Sequence, residues 1–370
     1  MKRFIVGALI LLVGCAAPTT KSVKINPVLA EIEAKKQSEI ALRDIIAEER
    51  RLSELSHKIL TGAVSLCGEK KRNILGLSIW NRQSMKKEWR EAAANLYGVS
   101  NVVKVSNVIS GSPAAKAGME PGDVLTAIED WPLPVGDGAV KKTREKLKEI
   151  LEKNKDSISI YLVQEGKQRT VSVEAVSACD YPAILEPTDI VNAYADGKNI
   201  IVTRGMMEFA RNDKELSLVL SHELAHNTMK HIDAKQQNAL AGAAGGFVID
   251  LIFAALGANT QGQFAELGAK AGAGVYSVEF EQEADYVGLY AMALSNLEIE
   301  GAPNFWRRMA SKSPESIKFK STHPTTPERF LALEATVKEI KAKQASGEPL
   351  VPDSKEPEKS KTENSLPAAN

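Results

Sequence analysis

The stretch His222-Glu223-Leu224-Ala225-His226 contains residue types that bind and use a metal ion. Residues four apart on an α-helix lie one turn above each other, so the imidazoles of His222 and His226 can converge on one metal. Glu223 would project beside them, within reach of water on that metal. This is the H-E-x-x-H arrangement of zinc peptidases. The alternative is a chance match, with both histidines as ordinary helix residues.

The residues before this stretch indicate the helix that must position it. Asn212 followed by Glu215 is close to a capping box, which marks a helix start. The apolar residues that follow have helical spacing, at Leu216, Val219, Leu220 and Leu224. Since the histidines lie beside this apolar stripe, we expect the metal at the edge of the core rather than in open solvent.

A catalytic zinc ion takes three protein ligands and keeps one position open, so a third ligand is required. Metzincins place Gly and His about three and six residues beyond the second ligand, but Met229 and Ile232 stand there. His231 follows His226 by five residues and is out of phase with the ligand face. We predict that His231 is a helix-end residue near the site and that the third ligand is a carboxylate.

Two glutamates of a later segment are the candidates, Glu281 and Glu283. Glu281 and Asp285 are four apart and share a helix face, whereas Glu283 points nearly opposite. We predict Glu281 as a ligand of one zinc ion per chain and Asp285 as the acceptor that orients a ligand imidazole. The alternative for this cluster is a solvated helix face, and we place Glu283 on such a face.

A second pattern lies earlier in the chain, at residues 107–125 (NVISGSPAAKAGMEPGDVL). It predicts a strand, a short helix that begins at Ser112-Pro113 and ends at Gly118, and a Pro-Gly turn before a second strand. This stretch resembles bacterial PDZ domains. A second helix at 141–153 and strands at 157–164 and 169–176 would complete the domain.

The PDZ resemblance implies capture of an extended peptide by strand addition, with its carboxylate held by backbone amides. Leu75-Gly76-Leu77-Ser78 resembles the loop that supplies those amides in the family. Residues 81–101, however, form a longer and more helix-prone connection between strands than is usual in PDZ domains. The alternative is a domain that serves as a spacer or for dimerisation.

Residues 187–335 resemble the HtpX, CAAX-prenyl-protease and Oma-type zinc metallopeptidase family, which includes BepA-like periplasmic proteins. The ordered blocks that carry the resemblance are Asn192-Ala193-Tyr194-Ala195, Ile200 to Gly205, Glu215-Leu216 with the H-E-x-x-H, Glu281 to Asp285, and His323-Pro324 followed by Arg329. The pattern at 192–203 predicts a hairpin around Asp196-Gly197, whose first strand could pair with a substrate.

The zinc motif and the resemblance together imply hydrolysis of peptide bonds. Glu223 would act as general base, and His323 or Arg329 would stabilise the oxyanion. Two alternatives for His323 remain open: it occupies the open zinc position and keeps the enzyme latent, or it is a loop histidine packed beside Pro324.

The N-terminus reads as a targeting segment, with Lys2 and Arg3 before an apolar run that ends at Cys15. Leu12 to Cys15 resembles the bacterial lipobox, which implies acylation of Cys15; an ordinary signal peptide or a short membrane anchor is the alternative. Because Ala16, not Asp, follows the cysteine, the lipoprotein sorting rule favours the periplasmic face of the outer membrane. The other two cysteines, Cys67 and Cys179, either form a disulfide or are separate buried thiols.

Equal counts of basic and acidic residues, 47 each in 370, argue against nucleic acid as a partner. We predict an α+β, multidomain chain: a PDZ-type β-barrel-like domain and a mainly α-helical gluzincin-type metallopeptidase domain with a small β-hairpin or sheet. The predicted divisions are a signal peptide (1–14), a tether (15–27), an amphipathic helix (28–61), the PDZ domain (62–179), the peptidase domain (180–342) and a disordered tail (343–370).

The amphipathic helix is interpreted as a strut packed on a later domain rather than a coiled coil, because its heptads are irregular. Residues 239–257 are Ala-, Gly- and Leu-rich but contain Asp250. They are interpreted as a helical hairpin or lid, with membrane contact as the alternative. The predicted function is an envelope endopeptidase for misfolded or exposed polypeptide segments. Its rival is a non-hydrolytic chaperone or scaffold with a structural zinc.

Overall fold

The computed structural model describes residues 18–153, 157–255, 260–274, 277–312 and 327–354. Its helices are α1 (Pro27–Gly62), α2 (Arg90–Tyr97), α3 (Pro113–Lys116), α4 (Ala139–Glu152), α5 (Arg204–Phe209), α6 (Asp213–Thr228), α7 (His231–Ala255), α8 (Gln263–Gly274), α9 (Ser277–Leu294), α10 (Ala302–Lys312) and α11 (Pro327–Ser346). Its strands are β1 (Lys71–Ile74), β2 (Leu77–Trp80), β3 (Lys104–Val108), β4 (Val124–Ile128), β5 (Trp131–Pro132), β6 (Ile158–Gln164), β7 (Lys167–Val173), β8 (Val176–Cys179), β9 (Ala183–Glu186), β10 (Ala193–Ala195) and β11 (Ile200–Thr203). The predicted α+β, multidomain class is confirmed.

The helix α1 begins at a well-defined cap. The Asn26 side chain accepts a hydrogen bond from the Val28 N–H at 2.9 Å, and Pro27 occupies the first helical position. The first part of α1 is mostly exposed, whereas Leu52 and Ile59 near its end are buried in the core formed by the later helices. Because its second half contributes to that core, α1 packs as a strut, as the sequence predicted.

Six strands form the PDZ-type sheet, in the order β2-β3-β4-β6-β7 with β5 paired to β4. The short helix α3 is capped by the Ser112 side chain and is followed by Gly118 at φ +75°. A two-residue turn at Glu165-Gly166, both at positive φ, joins β6 to β7. This tight turn makes β7 begin at Lys167, two residues earlier than the alternating pattern suggested.

The two ends of the PDZ-type sheet are joined to the rest of the chain by a short antiparallel pair, β1 with β8. Cys67 and Cys179 form a disulfide, with 5.6 Å between their Cα atoms. Both cysteines are buried in the same core as the end of α1. The sheet therefore lies between two chain segments that are covalently linked at the core of the helical domain.

A three-stranded sheet in the order β10-β11-β9 lies beside α6. The turn between β10 and β11 lies at Asp196-Gly197, as predicted, and the Asp196 carboxylate accepts a hydrogen bond from the Lys198 N–H at 2.8 Å. The third strand, β9, pairs parallel to β11 and was not predicted, because its four residues show no alternation of apolar and polar types.

The C-terminal boundary differs from the predicted tail that starts at residue 343. The helix α11 continues to Ser346, and residues 347–354 fold back on the domain. The Lys343 ammonium donates to the Val351 carbonyl at 3.0 Å and to the Asp353 carboxylate at 2.8 Å, and the Asp353 N–H donates to the Tyr286 hydroxyl at 3.0 Å. These contacts, of which the one with Tyr286 spans 67 positions, hold a segment whose composition alone is typical of disorder.

Candidate metal centre

The helix α6 carries the H-E-x-x-H motif through the middle of the domain. Its start is capped by Asn212, whose side chain accepts a hydrogen bond from the Glu215 N–H at 3.0 Å. Every residue from Leu216 to Asn227 is buried. His222 and His226 therefore lie inside the domain, not at the edge of the core as the single apolar stripe suggested.

Three side chains converge where the sequence predicted a metal. The Nε2 atoms of His222 and His226 are 3.1 Å apart, and each lies 3.3 Å from an oxygen of Glu281. Glu281 belongs to α9, which packs along α6. A Cβ atom at Gly288 would lie 3.2 Å from the His222 backbone, so this glycine permits the close approach of the two helices. The ligand atoms of the three residues lie within 4.8 Å of one another.

The far side of His222 is held by a buried ion pair. The His222 Nδ1 atom lies 3.0 Å from Asp285 Oδ1, and Arg329 binds the Asp285 carboxylate through Nε at 2.8 Å and Nη2 at 2.9 Å. Arg329 also lies 3.3 Å from Glu281 through Nη1, and its guanidinium stacks on Trp306. With Nδ1 of His222 directed at Asp285, its Nε2 atom faces the other ligands.

The far side of His226 is held by a second pair, which the sequence reasoning missed. The Nδ1 atoms of His226 and His231 are 2.9 Å apart, and His231 Nε2 is 2.8 Å from Glu283 Oε2. In this series of hydrogen bonds, His231 donates from Nε2 to Glu283, so its Nδ1 atom accepts a hydrogen bond from Nδ1 of His226. The Nε2 atom of His226 is therefore left for a metal.

The placement of Glu283 on a solvated helix face holds only in part, because its side chain is 39% exposed but also contacts His231. Lys230, at φ +57°, ends α6 and turns the chain back, so His231 at the start of α7 lies over the end of α6 and meets Glu283 of α9. His231 lies near the site, as expected, and is almost fully buried. The signal that could have revealed the pair was an otherwise unexplained histidine just after the zinc motif.

The buried charges fit a divalent cation. Around the ligand atoms, the buried acidic and basic side chains of the described residues, besides the histidines, are the carboxyl groups of Glu223, Glu281 and Asp285 and the guanidinium of Arg329. With neutral imidazoles and three deprotonated carboxyl groups, this set has two negative charges in excess, which one Zn²⁺ would neutralise. Two imidazoles and one carboxylate are also a zinc donor set of peptidases. The residues present therefore fit the predicted ion.

The buried environment shifts the pKa values of the two imidazoles in opposite directions. Burial alone would lower the pKa of His222, but the Asp285 and Glu281 carboxylates outweigh it and raise that pKa to about 10. Burial lowers the pKa of His226 to about 4. Arg329 contributes to a lowered pKa of Asp285, which keeps this carboxylate ionised beside His222.

The remaining predicted site residues fall into three groups. Arg329 is fully buried and its guanidinium is engaged by Asp285 and Glu281. His323 and Cys15 lie outside the described residues. Glu223 is buried next to His222 in α6.

Leu75 and Gly76 connect β1 to β2, whereas Leu77 and Ser78 are the first residues of β2, an edge strand of the PDZ-type sheet. A cavity of about 810 Å³ lies between this loop, α4 and the second half of α1. One carbonyl on β2 is already engaged, because Arg144 of α4 donates through Nη2 to the Ile79 oxygen at 3.2 Å. An added peptide strand would compete with that contact.

Comparison with known proteins agrees with this architecture. Residues 166–337 match peptidase family M48, and residues 104–157 match a PDZ domain. A beta-barrel assembly-enhancing protease of Yersinia pestis is 26% identical over 214 residues, which is 54% of this chain and 43% of that protein. The mitochondrial metalloendopeptidase OMA1 of Schizosaccharomyces pombe is 26% identical over 188 residues, 49% of this chain and 54% of that protein.

The beta-barrel assembly-enhancing protease of Escherichia coli strain K12 is 27% identical over 157 residues, which is 39% of this chain and 31% of that protein. The chain thus spans about half, or less, of the length of the relatives it matches. The matched family agrees with the resemblance drawn from the H-E-x-x-H and E-x-x-x-D blocks. The chain contains a metallopeptidase domain of family M48 that follows a PDZ domain.

Proposed function

We infer that the protein is a zinc-dependent endopeptidase that acts on extended polypeptide segments at the bacterial cell envelope. The observation that carries this proposal is the convergence of His222, His226 and Glu281, with Glu223 buried beside them on the same helix. The charge balance of the centre supports a divalent cation as its cofactor.

Each side chain of the centre has a distinct role in this proposal. His222, His226 and Glu281 would hold the ion, which when bound supplies Lewis acidity toward a substrate carbonyl and acidifies water. Glu223 would accept a proton from the attacking water and deliver it to the leaving amine. Asp285 and His231 would keep the Nε2 lone pairs of the two histidines directed at the ligand position.

The position of Arg329 indicates a different role from the one that the sequence suggested. Its Nε and Nη2 atoms are bound by Asp285, and its Nη1 atom lies near Glu281. We therefore assign Arg329 to orienting these two carboxylates, and we leave stabilisation of the oxyanion to the metal and to His323.

An extended substrate is supported by the small sheet. The strand β10 is an edge strand and lies beside α6, so a substrate backbone could pair with it next to the metal ligands. The PDZ domain would bind a second extended segment at the β2 edge, once Arg144 releases the Ile79 carbonyl. The envelope location rests on the N-terminal targeting pattern, which ends at Cys15.

The test compares casein cleavage by the wild-type protein, Glu223→Gln and His323→Ala, with zinc content measured for each. A matched control is Glu208→Gln, which makes the same change at an exposed position on α5. We expect loss of cleavage in Glu223→Gln with zinc retained, and wild-type cleavage in Glu208→Gln. Cleavage that is released only by His323→Ala indicates a latent enzyme. A zinc-loaded protein with no cleavage that depends on Glu223 in any background indicates a scaffold and refutes the proposal.

A further inference from the structure

The helices α7 and α8 form a hairpin whose backbones are in direct contact. A Cβ atom at Gly246 would collide with the Phe264 carbonyl oxygen, and one at Gly268 would collide with the Gly242 carbonyl oxygen. No layer of side chains fits between the helices at these points. Contacts between small residues of this kind are typical of helix pairs in membranes.

The apolar side chains of the hairpin consequently point outward. Phe247, Val248, Leu251 and Ile252, here called the apolar tip, are each more than half exposed. The most apolar 18-residue window within His231–Ala254 has a mean hydropathy of 1.3, yet only 11% of that window is buried. Exposed apolar surface of this extent on a folded domain marks an interaction site.

The outer surface of the tip carries no charge. Between Lys235 and Glu266 the sequence has one charged residue, Asp250. Its carboxylate is buried inside the hairpin, where it accepts hydrogen bonds from the Thr260 hydroxyl, the Phe264 N–H at 3.3 Å and the Ala265 N–H at 2.9 Å. These internal donors replace the water that an isolated carboxylate would need. The four side chains of the tip thus offer a partner no charge, which favours lipid over a protein surface; the exposed polar residues of the described connection to α8 are Gln261 and Gln263.

The dimensions decide how far the tip could enter a bilayer. Charges return on α8 at the exposed ion pair of Glu266 and Lys270, close to the level of Gly246 on α7. From Gly246 to Ala255 the helix rises about 13 Å, at about 1.5 Å per residue. One leaflet contributes about 15 Å of hydrocarbon, half of the usual 30 Å. With its 12 residues, α8 reaches only about 18 Å and cannot cross the bilayer.

We propose that the α7–α8 hairpin inserts its apolar tip into one leaflet of a lipid bilayer. The helix α7 begins at His231, beside the metal ligands. With the tip inserted, the metal centre would therefore lie at most about 22 Å above the level of Gly246, on the water side of the bilayer. The contact selects substrates that lie near the membrane surface. It depends neither on acylation of Cys15 nor on peptidase activity, so its test is independent of the proposed function.

The test uses the full-length protein with a bimane fluorophore on Leu251→Cys, reconstituted into vesicles of phosphatidylethanolamine and phosphatidylglycerol with brominated acyl chains. Protein without the added cysteine measures background labelling. A matched control carries the fluorophore on Lys141→Cys, an exposed position of α4. We expect brominated lipid to quench the Leu251 label and iodide in the water to lose access to it, with the reverse at Lys141. Equal iodide quenching at both positions overturns the proposal, as does a Leu251 label shielded from both quenchers, which indicates contact with protein.

A charge variant separates insertion from an indirect effect of the label. Val248→Lys with Ile252→Lys adds two charges to exposed positions of the tip, and we expect it to abolish quenching by brominated lipid while the unfolding midpoint stays unchanged. Tyr161→Lys with Leu331→Lys makes similar changes at exposed positions elsewhere and should leave the quenching intact. Persistent lipid quenching in the Val248 and Ile252 variant would refute insertion of this surface.

Discussion

Zinc binding to the metal-free protein is expected to release one proton at about pH 6. The buried carboxylates raise the pKa of His222 to about 10, so its imidazole is protonated on both nitrogens at that pH. Burial lowers the pKa of His226 to about 4, so this imidazole is neutral. Because a bound ion needs the lone pair of each Nε2 atom, only the proton on His222 must leave.

The assay is isothermal titration of zinc into protein stripped with a chelator, in two buffers that differ in enthalpy of protonation. Water bound to a catalytic zinc ion has a pKa of about 7, so at about pH 6 it contributes few of the released protons. The difference between the observed enthalpies gives the number of protons released. A value near zero, or near two, would refute the electrostatic account of the centre.

A variant of Asp285 tests the cause. The Asp285 hydrogen bond is the largest contribution that raises the pKa of His222. We therefore expect Asp285→Asn to release clearly less than one proton when zinc binds. An unchanged proton count in this variant would show that another group sets the protonation of His222.

Three further predictions concern the supports of the fold and site. Glu283→Gln weakens the acceptor of His231 and should lower zinc affinity roughly tenfold or more in a chelator competition, and unchanged affinity would contradict its role. Cys67→Ser removes a disulfide across a separation of 112 residues and should lower the free energy of unfolding in urea by about 4 kcal/mol, whereas reductant should destabilise only the wild type. Glu215→Gln should destabilise by about 1 kcal/mol at about pH 7, because the Arg308 hydrogen bond lowers the pKa of Glu215. That stability is present above the unfolded pKa of about 4.3 and is lost as pH falls through the lower folded pKa, so the two unfolding midpoints should converge in acid.

Much of the site could be predicted from the sequence because its residues are related by helical spacing. His222 and His226 share one face of α6, and Glu281 and Asp285 share one face of α9, for the same local reason. The start of α6 at Asn212 and the turns of the PDZ domain also follow from local chemistry, since a cap or a turn involves only neighbouring residues.

The pairings that the sequence did not reveal join distant segments. Glu283 meets His231 across 52 positions, and Arg329 meets Asp285 across 44. No periodic pattern encodes such pairs, because they depend on how α7, α9 and α11 pack around α6. The same holds for residues 347–354, which are ordered by contacts with Lys343 and Tyr286.

Burial was likewise decided by tertiary structure. The apolar stripe of α6 suggested one buried face, but helices and strands surround it on every side and enclose the charged residues of the centre. The more apolar α7 has little covering, because its glycine contacts with α8 leave the large side chains outside. Sequence by itself determined which residues lie on a common face of a helix. Only the packing of distant segments decided which of those faces meet protein and which remain exposed, since burial depends on neighbours that local sequence does not specify.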